Sequence, residues 1–193
     1  MLVKMVKRKF VKMCSILMAA ALITGCGSTP AGSSNSSSTS QEQETGGLPD
    51  KMPSFTTKDL EGNTITDSIF KEKDLTVVNI WGTFCGPCIG EMPELAEWSE
   101  EMPENVQLIG LVCDIEGEDD SRRKDLAAGI MEEAGADFTN IIPGKSFNSL
   151  LEWITGVPTT IFVDKEGNIT GEPVIGADVN AYKKFVKGYI NGK

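Results

Sequence analysis

The chain has 193 residues, enough for one domain of ordinary size together with shorter appended segments. Lysine and arginine number 18 against 28 aspartates and glutamates, and the formal net charge of −10 argues against a nucleic-acid partner, because such a chain repels phosphates. The sequence contains no histidine, which removes the usual general base and the commonest metal ligand. Hydrolytic triads and copper-chaperone chemistry are therefore disfavoured.

Residues 1–25 have the pattern of a secretory signal peptide. A lysine- and arginine-rich stretch without acids comes first, and the apolar run Met13–Ile23 that follows is too short for a stable membrane span. The run ends in Thr24-Gly25-Cys26, which resembles the bacterial lipobox. That resemblance implies that Cys26 is lipidated and begins the mature protein, whereas Cys14 is discarded. The alternative is an ordinary signal peptide followed by a chance cysteine.

Residues 26–50 are predicted to be a flexible tether behind the lipidated cysteine. Serine, glycine, threonine and glutamine dominate them, and such a segment cannot bury enough apolar surface to order itself. A flexible chain of this length reaches roughly 25–30 Å. The folded domain is then expected over residues 51–193.

The folded domain is predicted to open with a β-hairpin and a buried strand. Two β-like runs between Phe55 and Ile65 flank Glu61-Gly62-Asn63, a turn signal. The apolar, β-branched run Leu75–Trp81 is typical of a buried parallel strand. From about Gly86, apolar side chains recur at helical spacing, which predicts a helix that contains Pro93.

Two cysteines, Cys85 and Cys88, lie where this strand meets the helix. Separated by two residues, they can close a small disulfide or open to a dithiol with little backbone movement. The helix N-terminus carries partial positive charge and free N–H groups, which favour a thiolate. Thiol–disulfide exchange at neutral pH needs such a thiolate, and the pattern therefore indicates a redox-active pair with Cys85 as the attacking residue.

Alternating strands and helices follow, and they predict an α/β fold around a mixed sheet. The predicted elements are a strand at 106–113, a helix at 121–134, a short strand at 138–142, a short helix at 147–153, a strand pair at 159–163 and 169–174, and a final helix with Val179, Tyr182, Phe185, Val186, Tyr189 and Ile190 on one face.

The segment Trp81–Cys88, together with Glu91, Pro93 and Gly156–Thr159, resembles the thioredoxin superfamily. The resemblance is to membrane-anchored, extracytoplasmic thiol–disulfide oxidoreductases of the ResA/TlpA type, and it covers the chain from about residue 51 to the end. It implies a thioredoxin-like fold, with a mixed central sheet flanked by helices and an N-terminal β-hairpin extension.

The resemblance also implies roles for individual residues. Cys85 would attack a substrate disulfide, and Cys88 would resolve the mixed disulfide and leave the pair oxidised. Pro158 would be the family's cis-proline facing the cysteines, with the Val157 backbone free to pair with an extended substrate. A trans proline in a turn is the alternative. The other expected substrate contacts are Trp81, Gly86 and Pro87.

Two further positions distinguish branches of the superfamily. Cytoplasmic thioredoxins resemble one another in a buried aspartate six residues before the first cysteine, where this chain has Asn79. Glu91 instead matches the glutamate of the ResA-like branch and would exchange the proton of Cys88. The alternative is a solvated helix residue, which is the expectation for Glu94. Cys113 is either a third redox or regulatory thiol or a small buried hydrophobe.

The sequence therefore predicts a thiol–disulfide oxidoreductase, lipid-anchored on the outer face of the cell membrane, without cofactor or metal. By resemblance it would be fed by an integral-membrane thiol donor and reduce exported proteins such as apocytochrome c or a methionine sulfoxide reductase. The alternatives are a peroxiredoxin-like thiol peroxidase and a non-catalytic lipoprotein binding module with a structural disulfide. A zinc site is disfavoured because there is no second pair of cysteines at this spacing.

Overall fold

The computed structural model of the chain describes residues 47–192. The predicted signal peptide, the lipidation site Cys26 and nearly all of the predicted tether lie outside the described residues. No helix within residues 47–192 combines the length and apolar character that crossing a membrane requires.

The described residues form a five-stranded sheet, a separate two-stranded hairpin and four α-helices. In chain order the elements are β1 (Thr56–Lys58), β2 (Thr64–Thr66), a 3-10 helix (Asp67–Glu72), β3 (Leu75–Trp81), α1 (Gly86–Glu101), β4 (Val106–Val112), α2 (Ser121–Ala134), β5 (Asn140–Ile141), a second 3-10 helix (Lys145–Phe147), α3 (Asn148–Trp153), β6 (Thr159–Asp164), β7 (Val174–Ile175) and α4 (Val179–Asn191).

The order of strands in the sheet is β5-β4-β3-β6-β7. Strand β3 pairs in parallel with β4 and antiparallel with β6, while β4–β5 is parallel and β6–β7 antiparallel. The predicted mixed sheet flanked by helices, with an N-terminal hairpin, is thus confirmed.

Strand β3 is the centre of the sheet, and all seven of its residues are buried. Leu75, Val77 and Trp81 pack into one core cluster with side chains of α1, α2 and α4. Val78 and Ile80 point to the opposite face, into a second cluster that includes residues of the first 3-10 helix and α3. A strand covered on both faces has no solvent-facing positions, which explains why its sequence does not alternate between apolar and polar residues.

Two turns share the sequence Asp-X-Glu-Gly-Asn and the same hydrogen bonds. In the β1–β2 turn, the Asp59 carboxylate accepts from the N–H and the side-chain amide of Asn63, at 2.7 and 2.9 Å. After β6, Asp164 accepts the same two bonds from Asn168, at 2.8 and 2.9 Å. The glycine before each asparagine has a φ of +88° or +83°, which glycine adopts without steric cost.

The predicted strand at 169–174 forms only in part. Ile169 makes an isolated bridge to Val163, and regular pairing with β6 resumes only at β7. Between these points Gly171 has a φ of +71°, and Pro173 has no N–H to donate to the sheet. A side chain at Gly171 would overlap the ring of Phe185. The glycine therefore allows α4 to pack closely against this irregular segment.

Candidate active site

The cysteine pair follows β3 directly and begins α1. The loop before it is attached to the end of β4 because Thr83 makes two hydrogen bonds to Asp114. Its N–H donates to Oδ1 at 3.0 Å and its hydroxyl donates to Oδ2 at 2.6 Å. Gly82 leaves room for the Phe84 ring, which would lie 2.6 Å from a Cβ at that position. The two hydrogen bonds of Thr83 therefore hold the loop that carries the cysteines against the end of β4.

Cys85 and Cys88 form a disulfide with an S–S distance of 2.02 Å. Cys85 is the N-cap of α1, and its Sγ accepts the N–H of Cys88 at 3.2 Å. The helix N-terminus therefore stabilises negative charge on the Cys85 sulfur once the disulfide is reduced. Cys85 is only 6% exposed, and Cys88 is completely buried.

Val157 and Pro158 lie across from the disulfide, and the bond between them is cis, as predicted. The Cys85 Sγ is 3.4 Å from the Val157 carbonyl oxygen. Pro158 is buried, Val157 is half-buried, and Gly86 and Pro87 are exposed. Within residues 47–192 the Val157 N–H donates no backbone hydrogen bond.

The structure places Trp81 away from the surface. Its side chain is completely buried in the core with α1 and α2, and its Nε1–H donates to Asn140 Oδ1 at 2.8 Å. The expected substrate contact by Trp81 is therefore at odds with its position. Because residue 81 is still within β3, its side chain follows the strand's alternation and points into the core.

Glu91 is buried on the inner face of α1, one turn after Cys88, with 5% of its surface exposed. The Nδ2 of Asn79 donates to Glu91 Oε1 at 2.9 Å and to Thr160 Oγ1 at 3.0 Å. Burial raises the pKa of Glu91, and the hydrogen bonds from Asn79 and Tyr182 partly oppose this rise. The surface alternative for Glu91 is thus wrong. Glu94 does lie at the surface, where it pairs with Lys183 at 3.0 Å.

Tyr182 belongs to this site, although the sequence indicated only an apolar helix face. Its hydroxyl lies 3.1 Å from Glu91 Oε2 and 2.8 Å from the Gly176 carbonyl oxygen. Desolvation raises the pKa of Tyr182 to about 12, so the phenol keeps its proton at neutral pH. Its partner lies 91 positions earlier. In the sequence, the one indication of this role is that a tyrosine lies on the apolar face of the final helix.

Cys113 follows β4 and is half-buried beside the active-site loop. Burial, and secondarily the Asp114 carboxylate, raises the pKa of its thiol to about 11. It therefore remains a thiol at neutral pH, which makes it a poor nucleophile. Within residues 47–192, no group of three or more potential metal-ligating cysteines and carboxylates is placed to hold an ion.

A cavity of about 630 Å³ opens beside the disulfide. It is bordered by Cys85, Gly86, Pro87 and Val157 from the predicted site. Phe84, Cys113, Leu151, Ile154, Thr155 and Gly156 complete its lining. Cys85 therefore borders a largely apolar depression, while Cys88 does not reach it.

Comparison with known proteins agrees with this geometry. The family model described as Redoxin matches residues 48–180. A thiol-disulfide oxidoreductase ResA of Bacillus cereus is 31% identical over 144 residues, which are 72% of this chain and 75% of that protein. The thiol:disulfide interchange protein DsbE homolog of Paracoccus denitrificans is 27% identical over 54% of this chain and 53% of its own length.

Among solved structures, the thioredoxin domain of a thiol-disulfide oxidoreductase from Bacteroides vulgatus is similar, with a TM-score of 0.56 and 28% identity. The match covers 70% of this chain and 95% of that one, and it confirms the thioredoxin-like fold. The chain belongs to the redoxin family and is a thioredoxin-like thiol–disulfide oxidoreductase.

Proposed function

We propose that this protein is lipid-anchored through Cys26 on the outer face of the cell membrane and reduces disulfides in exported proteins. The carrying observation is the position of Cys85, which caps a helix N-terminus, lies 3.4 Å from the Val157 carbonyl oxygen and borders an open cavity. The signal-peptide and lipobox patterns of residues 1–26 support the location. The names of the relatives, oxidoreductase and interchange protein, support the reaction.

The reaction begins from the reduced dithiol. The Cys85 thiolate attacks one sulfur of a substrate disulfide, whose S–S bond breaks as the other sulfur leaves as a thiolate. A Cys85–substrate disulfide forms in this step. Cys88 then loses its proton and attacks Cys85 Sγ, which expels the second substrate thiolate. Two electrons have passed to the substrate, and the enzyme is left with the Cys85–Cys88 disulfide.

Glu91 supports the second step. Cys88 is completely buried, so its proton cannot pass directly to bulk water. Glu91 lies three positions later on the same helix face, and burial raises its pKa, so that its carboxyl holds a proton more readily than an exposed glutamate does. A membrane thiol donor would then reduce the pair again, and apocytochrome c or a methionine sulfoxide reductase are the candidate substrates.

The thiol peroxidase alternative is less well supported. Such an enzyme needs a threonine hydroxyl beside the reactive cysteine. Thr83, two residues before Cys85, donates its hydroxyl proton to Asp114 at 2.6 Å instead. Cys85 is also paired with Cys88 within one helical turn, which suits dithiol exchange.

Reduction of insulin by the full-length protein, with dithiothreitol as electron source, tests the reaction. We expect turbidity from separated insulin chains with the wild type and none above background with Cys85→Ser. Loss of activity in Cys85→Ser, with a circular dichroism spectrum like that of the wild type, would support the proposal. Equal activity of both proteins would contradict it. A reduction potential near that of thioredoxin, about −270 mV, would support a reducing role, and one near −120 mV would contradict it.

A further inference from the structure

Asn79 is a completely buried amide in the central strand β3. Strand alternation places it on the face that also carries Val77 and Trp81, which α1 and α4 cover. Its Nδ2 donates two hydrogen bonds, at 2.9 Å to Glu91 Oε1 and at 3.0 Å to Thr160 Oγ1. Its Oδ1 has no hydrogen-bond partner within residues 47–192. A buried oxygen without a partner costs stability, which points to a role for the two N–H groups of this amide.

Thr160 fixes the direction in which the Asn79 amide faces. The two residues are paired in register on β3 and β6, and Thr160 is completely buried. Desolvation raises the pKa of Tyr182, and the Thr160 hydroxyl opposes this rise, so the Thr160 proton can point to the Tyr182 oxygen. The Thr160 oxygen is then left as an acceptor, and the Asn79 amide must present its N–H groups to Thr160 and Glu91 alike.

The hydrogen bond from Asn79 favours the ionised form of Glu91. An N–H donates more strongly to a charged carboxylate than to a neutral carboxyl, and an amide does not itself ionise near neutrality. Burial raises the pKa of Glu91, and the bond from Asn79 opposes this rise more than the bond from Tyr182 does. Without Asn79, the carboxyl should therefore keep its proton to a higher pH.

The other groups that face Glu91 do not take over this role. Tyr182 of α4 has one proton, and the Gly176 carbonyl oxygen at 2.8 Å competes for it. Burial is the main cause that raises the pKa of Glu91, and Glu94 of α1 adds to it, although Glu94 pairs with Lys183 of α4 at 3.0 Å. Cys88 carries no charge while it is part of the disulfide.

We propose that Asn79, oriented by Thr160, is a positioning residue that keeps Glu91 ionised at a pH where burial alone would leave it protonated. The ionised carboxylate can accept the proton that Cys88 loses in the second step, so Asn79 sets the lower pH limit of that step. This consequence rests on the proposed function, whereas the effect of Asn79 on Glu91 does not. The proton moves from Cys88 Sγ to a Glu91 oxygen, and Asn79 keeps its own protons.

NMR of the oxidised, full-length protein tests the effect on Glu91 directly. With isotope label at the side-chain carboxyl carbons of glutamate, the chemical shift of Glu91 follows its ionisation, and Glu91→Gln assigns the signal by its absence. Asn79→Leu has a similar volume but no N–H, and it should move the midpoint of this titration to higher pH. Thr160→Val should move it in the same direction, and Thr160→Ser, which restores the hydroxyl, should return it. The two Thr160 variants carry the test alone if Asn79→Leu does not fold.

Thr76→Val is the matched control for Thr160→Val. Thr76 is another completely buried threonine of this sheet, and its hydroxyl also accepts a side-chain amide, that of Gln107 at 2.9 Å. The two residues are paired in register on β3 and β4. Thr76→Val should reduce the free energy of unfolding and leave the midpoint of Glu91 unchanged. If Asn79 and Thr160 had only a structural role, their variants would behave in the same way.

The symmetric disulfide of thionitrobenzoate tests the consequence for catalysis. The Cys85 thiolate of the pre-reduced protein attacks one sulfur of this reagent, its S–S bond breaks, and one coloured thionitrobenzoate leaves. Cys88 then loses its proton, attacks Cys85 Sγ and expels the second thionitrobenzoate, so two electrons pass to the reagent. The second phase of colour therefore measures the step that Glu91 supports, and the first phase is an internal control. Cys85→Ser with Cys88→Ser gives the background from other thiols.

We expect the second phase at neutral pH to be about tenfold slower in Asn79→Leu, a smaller loss than the roughly hundredfold or more that removal of a general base causes. The rate should recover as the pH rises, while the first phase stays unchanged. In the Glu91→Gln background, Asn79→Leu should have no further effect on the second phase.

A Glu91 midpoint that is the same in wild type, Asn79→Leu and Thr160→Val would overturn the proposal. A midpoint that rises in Asn79→Leu and Thr160→Val but not in Thr76→Val would support it. If the midpoint rises and the second phase keeps its wild-type pH dependence, Asn79 controls the ionisation of Glu91 as proposed, but the role of Glu91 in the proposed function is contradicted.

Discussion

The hydroxyl of Tyr182 lies 3.1 Å from Glu91 Oε2 and 2.8 Å from the Gly176 carbonyl oxygen, although a phenol has one proton to donate. When Glu91 is ionised, that proton can point to its carboxylate. When Glu91 is protonated, the carboxyl can donate to the Tyr182 oxygen while the phenol donates to Gly176. Both protonation states of Glu91 are therefore hydrogen-bonded, which suits a buried group that exchanges protons.

Glu91 should make folding stability depend on pH. Its pKa is raised above the ordinary 4.5 by burial, so the folded protein binds this proton more tightly than the unfolded chain does. The stabilisation is present below the ordinary pKa and is lost as pH rises through the raised value. Glutamine does not ionise, so Glu91→Gln should not show this loss. As pH rises, the free energy of unfolding of the variant should therefore increase relative to that of the wild type.

Urea unfolding of the oxidised protein between about pH 4 and pH 8 measures this difference. The matched control is Glu97→Gln, which removes a carboxylate from an exposed position of the same helix. A stability difference between wild type and Glu91→Gln that stays constant over this range would contradict the raised pKa.

Tyr182→Phe tests the hydrogen bond from the other side. The bond from Tyr182 lowers the pKa of Glu91, so its removal should raise that pKa further and move the corresponding limb of the pH–rate profile to higher pH. Loss of the bond should also reduce the free energy of unfolding by about 1 kcal/mol. Tyr189→Phe serves as the control, and the shift should vanish in the Glu91→Gln background. If Tyr182 has only a structural role, Tyr182→Phe should change the free energy of unfolding and leave the pH–rate profile unchanged.

Much of this fold follows from local sequence. Mostly apolar runs predicted β3 and β4 because central strands are covered on both faces. The spacing of Cys85 and Cys88 at a strand–helix junction predicted the disulfide, and the resemblance predicted the cis bond before Pro158. Each of these features depends on residues that are neighbours in the chain, or on a motif that fixes their relation.

The rest depends on contacts between distant segments. Nothing near Tyr182 in the sequence indicates that α4 would bring its hydroxyl to Glu91, 91 positions earlier. The motif alone does not decide that Phe84 turns outward, because the path of the loop is set by the bonds from Thr83 to Asp114. The cavity beside Cys85 likewise forms only where α3 and the end of β4 meet.

Cys113 should react slowly with alkylating agents. Its thiol pKa is raised to about 11, first by burial and second by Asp114, so little thiolate exists at pH 8. In the oxidised protein, iodoacetamide labelling of the peptide that contains Cys113 should be slower than in the urea-unfolded protein, and its rate should increase up to about pH 11. Mass spectrometry of digested samples gives these rates. Labelling as fast as in urea would contradict the raised pKa and favour a regulatory thiol.

The lipid anchor is tested at Cys26. If this cysteine carries the lipid, Cys26→Ser should release the protein from membranes or block removal of the signal peptide. Fractionation of cells, followed by mass spectrometry of the mature N-terminus, distinguishes these results from wild type. Cys14→Ser is the matched control, because Cys14 lies in the segment predicted to be discarded. Normal processing and membrane retention of Cys26→Ser would mean that an ordinary signal peptide and another attachment are present.

The order of the two cysteines should be visible in the adducts that each variant retains. Cys85 borders the open cavity and caps the helix N-terminus, whereas Cys88 is completely buried. In Cys88→Ser, Cys85 can still attack a substrate but nothing resolves the product, so mixed disulfides with exported proteins should accumulate.

Cys85→Ser leaves only the buried thiol and should retain few adducts or none. Affinity purification under acid quench, then reduction and mass spectrometry, compares the two variants, and the double variant gives the background. If Cys85→Ser accumulates the partners, Cys88 is the attacking residue. In that case the accessibility seen in the oxidised protein does not predict which sulfur meets the substrate, and the assignment of roles within the pair must be reversed.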